Sequence, residues 1–589
     1  MQANQVMQQA QQAIGVGDFD RAKNLLAPLH KKSPSDPQVN WLIADVFLAE
    51  GNGAKGVAFL QKAALRKGNQ QMKEPLLEKA VDICAAEDLY NAGLECAMAW
   101  LKHNSASEKA RFFVAKFLRA KKRYSESAAH FTKLVKLGSQ NSSVHLHLAQ
   151  AQLSMAEHKS SLENFRIASS LALGESDFDG WFVFATNAFP QLSEKEIFQE
   201  HINFGRRLEA SYSPMEHQKP SKRPDKIRIA FISGDLRTHS VTFFLLPLLR
   251  GLDRTRFEVI CYSDVQKEDA VSEQIKSLCN AWVETRSMDI ERVAQQVQND
   301  QIDLLFDLSA YTSSFRLGVF ANKAAPIQVS YLGYPNTTGL SRMDYRLTDE
   351  WADPRSLTEH LHTESLVRLK GGFLCFEADA VAPPVSFVQR TKKSPGVCFG
   401  SFNAYHKFND EVIAAWAKIL LSVADSTLMI KSLSLIDPPL RERLKKQFAS
   451  YGVSPKRLTL MPETPGRKEH LELYGKVDIH LDTFPYNGTT TTCEALWQGV
   501  PSVVIAGDAH RSRVGVSIMS QVSLEDFIAD DVDGYVALAA AKAADLTALQ
   551  TLREGMRERM QNSPLMQVDR FANDFGEAVD SMYQRYLDS

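Results

Sequence analysis

Along the first third of the chain, apolar residues recur three and four positions apart, as in Trp41, Ala44, Phe47 and Leu48, the spacing of one helix face. Short turns punctuate this pattern: Gly17-Asp18-Phe19, Gly51-Asn52-Gly53, Glu87-Asp88-Leu89, Lys122-Arg123-Tyr124 and Ala156-Glu157-His158, in steps of 34, 36, 35 and 34 residues. Five positions after each turn begins stands a small residue (Ala22, Gly56, Ala92, Ser127, Ser161), where two helices must approach closely. The pattern predicts a helix after each turn, for example over 21–29, 57–65 and 128–137, and another before it. Residues 210–226, with Pro214, Pro220 and Pro224, read as a linker. Beyond it the texture changes to short apolar runs. Strands are predicted over 227–233 (IRIAFIS), 257–263 (FEVICYS), 302–308, 327–332 and 345–348, with helices over 273–279 and 290–298. After a Pro/Ser/Lys-rich stretch at 378–395, strands resume over 397–402, 427–431, 458–461, 478–481 and 502–505.

A two-helix unit of ~34 residues resembles the tetratricopeptide repeat, here across residues 1–185. Such solenoids offer a concave groove to peptides and protein partners. Near-continuous apolar strands alternating with amphipathic helices predict parallel sheets covered on both faces. The fold expected is therefore an α-helical repeat solenoid followed by two Rossmann-like α/β lobes. The boundaries are a repeat domain at 1–205, a linker at 206–226, a first lobe at 227–385, and a second lobe with C-terminal helices at 386–589. Ligands of such sheets bind beyond the carboxyl ends of the strands.

Composition narrows the partners. Among 589 residues, 68 Lys and Arg face 70 Asp and Glu, a net charge of -2 that suits neither a nucleic-acid backbone nor an anionic membrane. Seven cysteines without a CxxC read as buried thiols of a reducing compartment. The first twenty residues carry no secretory pattern, and the longest apolar run, 241–249, is far short of the ~20 residues of a membrane span. A cytoplasmic protein is expected.

The segment LDTFPYNGTTTTCEALWQGVP (481–501) carries most of the chemistry. A strand ends at Asp482, Pro485 and Gly488 form a turn, four threonines follow, and a helix is predicted to open at Cys493. Threonine hydroxyls and free first-turn amides, with the positive end of the helix dipole behind them, form a cradle for a diphosphate. Lys407, after strand 397–402, is placed to neutralise a phosphate leaving group. His239 in SGDLRTHS (233–240) follows the first strand, near the start of a helix, where a lowered pKa would suit a neutral base. A metal-dependent nucleotide-sugar enzyme would show Asp-x-Asp at the end of a sheet strand. Asp18-Phe19-Asp20, Asp177-Phe178-Asp179 and Asp531-Val532-Asp533 are not so placed and read as caps or turns, so no metal is expected. Phosphate loops of the GxxxxGK[ST] and GxGxxG kinds are absent, against kinase, ATPase and dehydrogenase readings.

From about residue 226 onward the chain resembles the O-GlcNAc transferase / SPINDLY family of protein glycosyltransferases. The matching blocks are SGDLRTHSV (233–241), APIQVSYLGYPNTTGLSRMDYRLTD (325–349), FGSFNAYHKF (399–408), the 481–501 segment and AGDAHRSRVGVS. The resemblance implies a GT-B fold and inverting, metal-independent transfer. It places His239 beside the donor as a proposed base, and Lys407 on the diphosphate with Asn403 and Ala404 beside it. Thr490 and Thr491 would contact the diphosphate, Glu494 the ribose and His470 the nucleobase. Gly488 and Thr489 complete the cradle, but Thr489 stands where O-GlcNAc transferases carry His. The FPYNGTTTT and GYPNTTGL strings look closer to the SPINDLY branch, whose plant members use GDP-fucose. UDP-GlcNAc is the favoured donor, and a GDP-fucose or nonulosonate donor is the alternative. The partners expected are protein acceptors on the repeat domain, flagellin among them, and a second copy as a homodimer. Two rival functions fit the same residues: an epimerase on the same lobes, and a repeat scaffold with a silent catalytic half.

Overall fold

The computed structural model describes residues 2–172, 176–312, 315–387 and 396–589. Residues 388–395 of the Pro/Ser/Lys-rich stretch lie outside the described residues, as do the side chains of Asp177-Phe178-Asp179. Two compact units are present, residues 1–155 with 163–171, and residues 156–162 with 172–589.

The first unit is all helical, with consecutive helices such as Phe19–Lys32, Pro37–Ala49, Gly53–Ala64 and Lys73–Ala86 packed in sequence. Among the residues that turn the chain with positive φ, one series recurs at the repeat spacing: Gly17, Gly51, Asp88 and Lys122, and the next of this series is Ala156. Their spacing is 34, 37, 34 and 34 residues, so the third turn sits one residue later than the sequence pattern predicts. The close-packed position of that repeat is accordingly Gly93, not Ala92. A Cβ at Gly93 would fall 2.5 Å from the Phe117 ring, whereas Ala92 is half-buried. An additional turn, Lys67–Asn69, precedes the shift. Elsewhere the small residues hold: Ala22 is fully buried, Gly56 meets the Ala44 backbone, and the Ser127 hydroxyl donates to the Ala115 carbonyl across 2.7 Å.

The second unit contains two parallel sheets. In the first lobe the strands are β1 (Ile227–Ser233), β2 (Phe257–Ser263), β3 (Ala281–Glu284), β4 (Leu304–Asp307), β5 (Ile327–Ser330), β6 (Tyr345–Thr348) and β7 (Ser365–Arg368), in the order β3-β2-β1-β4-β5-β6-β7. In the second lobe β8 (Cys398–Ser401), β9 (Thr427–Lys431), β10 (Leu458–Met461), β11 (Ile479–Leu481), β12 (Ser502–Ile505) and β13 (Ile528–Ala529) run in the order β10-β9-β8-β11-β12-β13. Central strands are apolar on both faces because helices cover both sides; β4 and β5, for example, are buried at every position. The helix Val568–Asp588 returns to the first lobe, where Phe575 packs on Phe306 of β4 at 5.2 Å between ring centroids and on Phe231 of β1 at 6.4 Å.

Asp18 and Asp531 cap the helices Phe19–Lys32 and Val532–Ala544 by accepting from the Arg21 and Gly534 amides. All seven cysteines are free, but Cys279, just ahead of the edge strand β3, and Cys398, the first residue of β8, are only half-buried and so are not the fully buried thiols expected. Among the described residues no helix is long and apolar enough to cross a membrane.

Candidate functional site

In each sheet the chain runs outward to one edge and then restarts on the other side of the first strand. This puts a switch point between β1 and β4, and another between β8 and β11. At such points the loops after neighbouring strands diverge and leave a crevice for a ligand. The sequence-predicted residues fall at both.

After β8 come Asn403, Ala404 and the single turn Tyr405–Lys407; after β11 come Asp482, the loop to Thr489 and the helix Thr490–Trp497. The helix opens at Thr490, three residues before the predicted Cys493. β-Branched residues crowd a helix interior, but the first turn has no preceding turn to clash with. The Thr489 carbonyl takes the first intrahelical bond, from the Cys493 amide at 3.1 Å, and among the described residues no side chain caps the amides of Thr490, Thr491 and Thr492. These donors are available to an anion.

Gly488 fits because nothing larger can. A Cβ there would lie 2.4 Å from Thr491 Oγ1 and 2.7 Å from Asn403 Oδ1. Asp482, buried at the strand end, organises the turn: its Oδ1 accepts from the Gly488 amide at 2.8 Å, the Thr483 amide at 2.8 Å and Asn403 Nδ2 at 3.0 Å. Burial pushes the Asp482 carboxyl up to about 6, against the pull of the Gly488 amide and Lys407. Asn403 Oδ1 in turn accepts from the Thr491 hydroxyl at 3.0 Å.

Lys407 Nζ donates to the Asn487 carbonyl at 2.6 Å and lies 3.8 Å from the centroid of the Tyr486 ring. Burial lowers its ammonium to about 8, with Asp482 opposing. The Asn487 amide donates to the Arg511 carbonyl at 3.0 Å, and the Arg511 guanidinium is paired with Glu194. Asn403, Lys407, Gly488 and Thr491 thus form one connected group, with Ala404, Thr489 and Thr490 on the same loops.

Glu494 and His470 form a second group on the adjoining helix turns. His470 Nε2 is 2.9 Å and Arg467 Nη2 2.5 Å from the buried Glu494 carboxylate, and the Tyr474 hydroxyl is 3.4 Å away. Burial alone would raise the Glu494 carboxyl, but the His470 hydrogen bond and Arg467 hold it below its ordinary range. Both oxygens are engaged, yet an ionised carboxylate keeps lone pairs for further donors.

His239 stands at the other switch point, three residues ahead of the helix Thr242–Gly251. Its Nδ1 accepts from the Val241 amide at 3.4 Å, and its Nε2 is 3.8 Å from Asp235 Oδ1. Its pKa is lowered as expected, chiefly by burial, while Asp235 pulls the other way. Among the described residues it has no hydrogen bond to the Thr490 turn or to Lys407. The two lobes are nonetheless joined beside the site. Asp353 of the first lobe meets His510 Nδ1 at 2.6 Å, and Asp349 accepts from the Ser517 hydroxyl at 2.5 Å.

Asp482, Tyr486, Asn487, Arg467 and Tyr474 join the site without being site candidates from the sequence alone. The one signal in the sequence is for Asp482: a carboxylate directly after an apolar strand and six residues ahead of Gly488.

The family model of Glycosyl transferase family 41 matches residues 200–383 and 385–575. A relative in Oryza sativa subsp. japonica, named probable UDP-N-acetylglucosamine–peptide N-acetylglucosaminyltransferase SPINDLY, is 38% identical over 411 residues, 69% of this chain and 44% of that protein. The protein of the same name in Arabidopsis thaliana is 37% identical over 409 residues, 68% of this chain and 44% of its own. The chain therefore spans less than half the length of these curated relatives. A solved O-GlcNAc transferase mutant from Thermobaculum terrenum superposes with a TM-score of 0.79 at 27% identity, over 88% of this chain and 99% of that one. The GT-B architecture, the repeat-like helices before it and the match across both lobes agree, and the chain belongs to glycosyl transferase family 41.

Proposed function

We propose that the chain is an inverting, metal-independent protein O-glycosyltransferase acting on a nucleotide sugar. One observation carries this reading: an ammonium, a glycine turn and the open amides of a helix N-terminus meet at the β8/β11 switch point. In the reaction, the oxygen of an acceptor Ser or Thr bonds to the anomeric carbon as the bond from that carbon to the diphosphate breaks. The electron pair leaves with the diphosphate. Lys407, the Thr490 hydroxyl and the amides of Thr490 and Thr491 stabilise that charge, each such fixed donor being typically worth ~2.7–4 kcal/mol. Asn403 and Ala404 line the donor beside them, Thr489 closes the cradle, Glu494 accepts from the ribose hydroxyls, and His470 lies at the nucleobase. His239 takes the acceptor proton or orients the phosphate; its lowered pKa supports a neutral imidazole near pH 7.

UDP-GlcNAc is the favoured donor, supported by the names of the relatives. GDP-fucose is the second reading, supported by Thr489 in place of a histidine. The repeat domain (1–205) would bind the protein acceptor and, through the linker (206–226), deliver its hydroxyl to lobes 227–385 and 386–589.

The test is incubation in native lysate with UDP-GlcNAc, GDP-fucose or CMP-nonulosonates, with and without a chelator, followed by mass spectrometry of the proteins. A mass increment with one donor, unchanged by the chelator, is expected. No increment with any donor would end the transferase reading, and loss on chelation would end its metal-independent part.

A further inference from the structure

We infer that His158 is a positioning residue for Lys407, acting through the peptide plane that joins His406 to it. The inference rests on the reading of Lys407 as a ligand of the diphosphate.

Lys407 ends a single turn, Tyr405–Lys407, whose Tyr405 carbonyl accepts from the Phe408 amide at 3.0 Å, while a turn this short offers no local amide to the His406 carbonyl. Its amide donates to the Ala404 carbonyl at 3.0 Å, which fixes one side of the 406–407 peptide plane. The other side is the His406 carbonyl, and His158 Nε2 lies 2.7 Å from it. A carbonyl only accepts, so Nε2 carries the hydrogen. The peptide unit is planar and rigid, so holding both its N–H and its C=O fixes the Cα from which the Lys407 side chain springs. His158 is itself held. It is only 6% exposed, the Phe189 ring meets it edge-on at 6.4 Å, and burial lowers its pKa so that the ring stays neutral.

A parallel tie supports the same turn. Glu157 pairs with Arg443 Nη1 at 2.6 Å, and Arg443 bonds the Tyr405 side chain. Adjacent residues 157 and 158 therefore grip the first and middle residues of the three-residue turn that presents the ammonium. The Ala156-Glu157-His158 turn, which the repeat spacing marked out but no catalytic role had absorbed, acquires a function beyond turning the chain. It sets where the Lys407 stem starts, while Asn487 and Tyr486 set where the ammonium ends.

The experiment uses the full chain with His158→Ala, His158→Gln and the neighbouring Lys159→Ala. UDP and GDP affinities are measured by titration calorimetry, and turnover with UDP-GlcNAc and GDP-fucose by steady-state kinetics. His158→Ala is expected to lower kcat by about 10- to 100-fold, the order that follows from a slightly misplaced group, with a smaller change in acceptor KM. His158→Gln, whose amide can donate to the same carbonyl, should recover most of the loss, and Lys159→Ala should match the wild type. If the alanine variant unfolds, His158→Leu replaces it, keeping bulk without a donor. Nucleotide affinity and kcat equal to wild type in the alanine or leucine variant, or a glutamine variant no better than either, overturns the inference. Failure of the wild-type chain to bind either nucleotide overturns instead the reading of the site, a result visible before any variant is made.

Discussion

Thr491 Oγ1 lies 3.0 Å from Asn403 Oδ1 and gives it its hydrogen, joining the helix after β11 to the loop after β8. The two threonines assigned to the diphosphate are therefore not equivalent, for Thr490 has no such internal partner among the described residues. Thr490→Val should weaken UDP or GDP binding by about 1.5–3 kcal/mol, the range for a hydrogen bond to a charged group, and leave the melting temperature unchanged. Thr491→Val strands the buried Asn403 oxygen and should cost about 1–3 kcal/mol of stability. Calorimetric titration beside thermal melts separates the two.

Gly488→Ala should remove nucleotide binding. Its Cβ would need to displace Thr491 Oγ1, Asn403 Oδ1 and Asp482 Oδ1 together, and these hold one another by hydrogen bonds. A destabilisation of about 1–3 kcal/mol is expected from the overpacking. A melt near wild type with intact nucleotide binding would contradict the packing described.

Nucleotide affinity should fall as the pH rises through about 8, where Lys407 loses its charge. Asp482 supports that charge, so in Asp482→Asn the alkaline fall should move to lower pH. The same variant carries a stability signature. The folded carboxyl titrates near 6 against an ordinary 3.8, so on acidification the folded state takes its proton first and gains stability across that window. Denaturant melts of the wild type minus those of Asp482→Asn should show this gain developing as pH falls from about 6 to 3.8.

If His239 accepts the acceptor proton, kcat/KM should show an acid limb below the ordinary histidine value of 6.5, because burial lowers its pKa and Arg237 adds to this against Asp235. His239→Asn should abolish that limb along with about 100- to 10,000-fold of rate. A variant that is slow but keeps the limb assigns the proton elsewhere.

The central strands were legible in the sequence because burial on both faces makes them continuous apolar runs. β1, β2, β6, β9 and β12 lie where the pattern put them, and so does β10, an edge strand whose Leu458–Met461 run is apolar apart from Thr459 although only Leu458 is buried. The strands it passed over, β3, β7 and β13, all lie at sheet edges. Ala281–Glu284 and Ser365–Arg368 have no fully buried position, and Ile528–Ala529 is two residues long, so none carries the apolar run that marks a strand. The repeat period was legible, but its third frame slipped because a single residue decides it, and Ala92 and Gly93 are both small. In the site, the types of Lys407, Thr490 and Glu494 were readable from their strings. The partnerships were not, since Asn403 meets Asp482 across 79 residues of chain, a distance no local pattern spans.

The helix Val568–Asp588 has a consequence for how the molecule is made. The aromatic face that Phe231 and Phe306 present is finished by Phe575, and the entire second lobe must be translated before that ring exists. A nascent chain halted after β7 therefore exposes sticky rings that a chaperone would recognise. Dissecting the halves at the gene level leaves the upstream fragment unfinished unless the downstream strap is supplied with it.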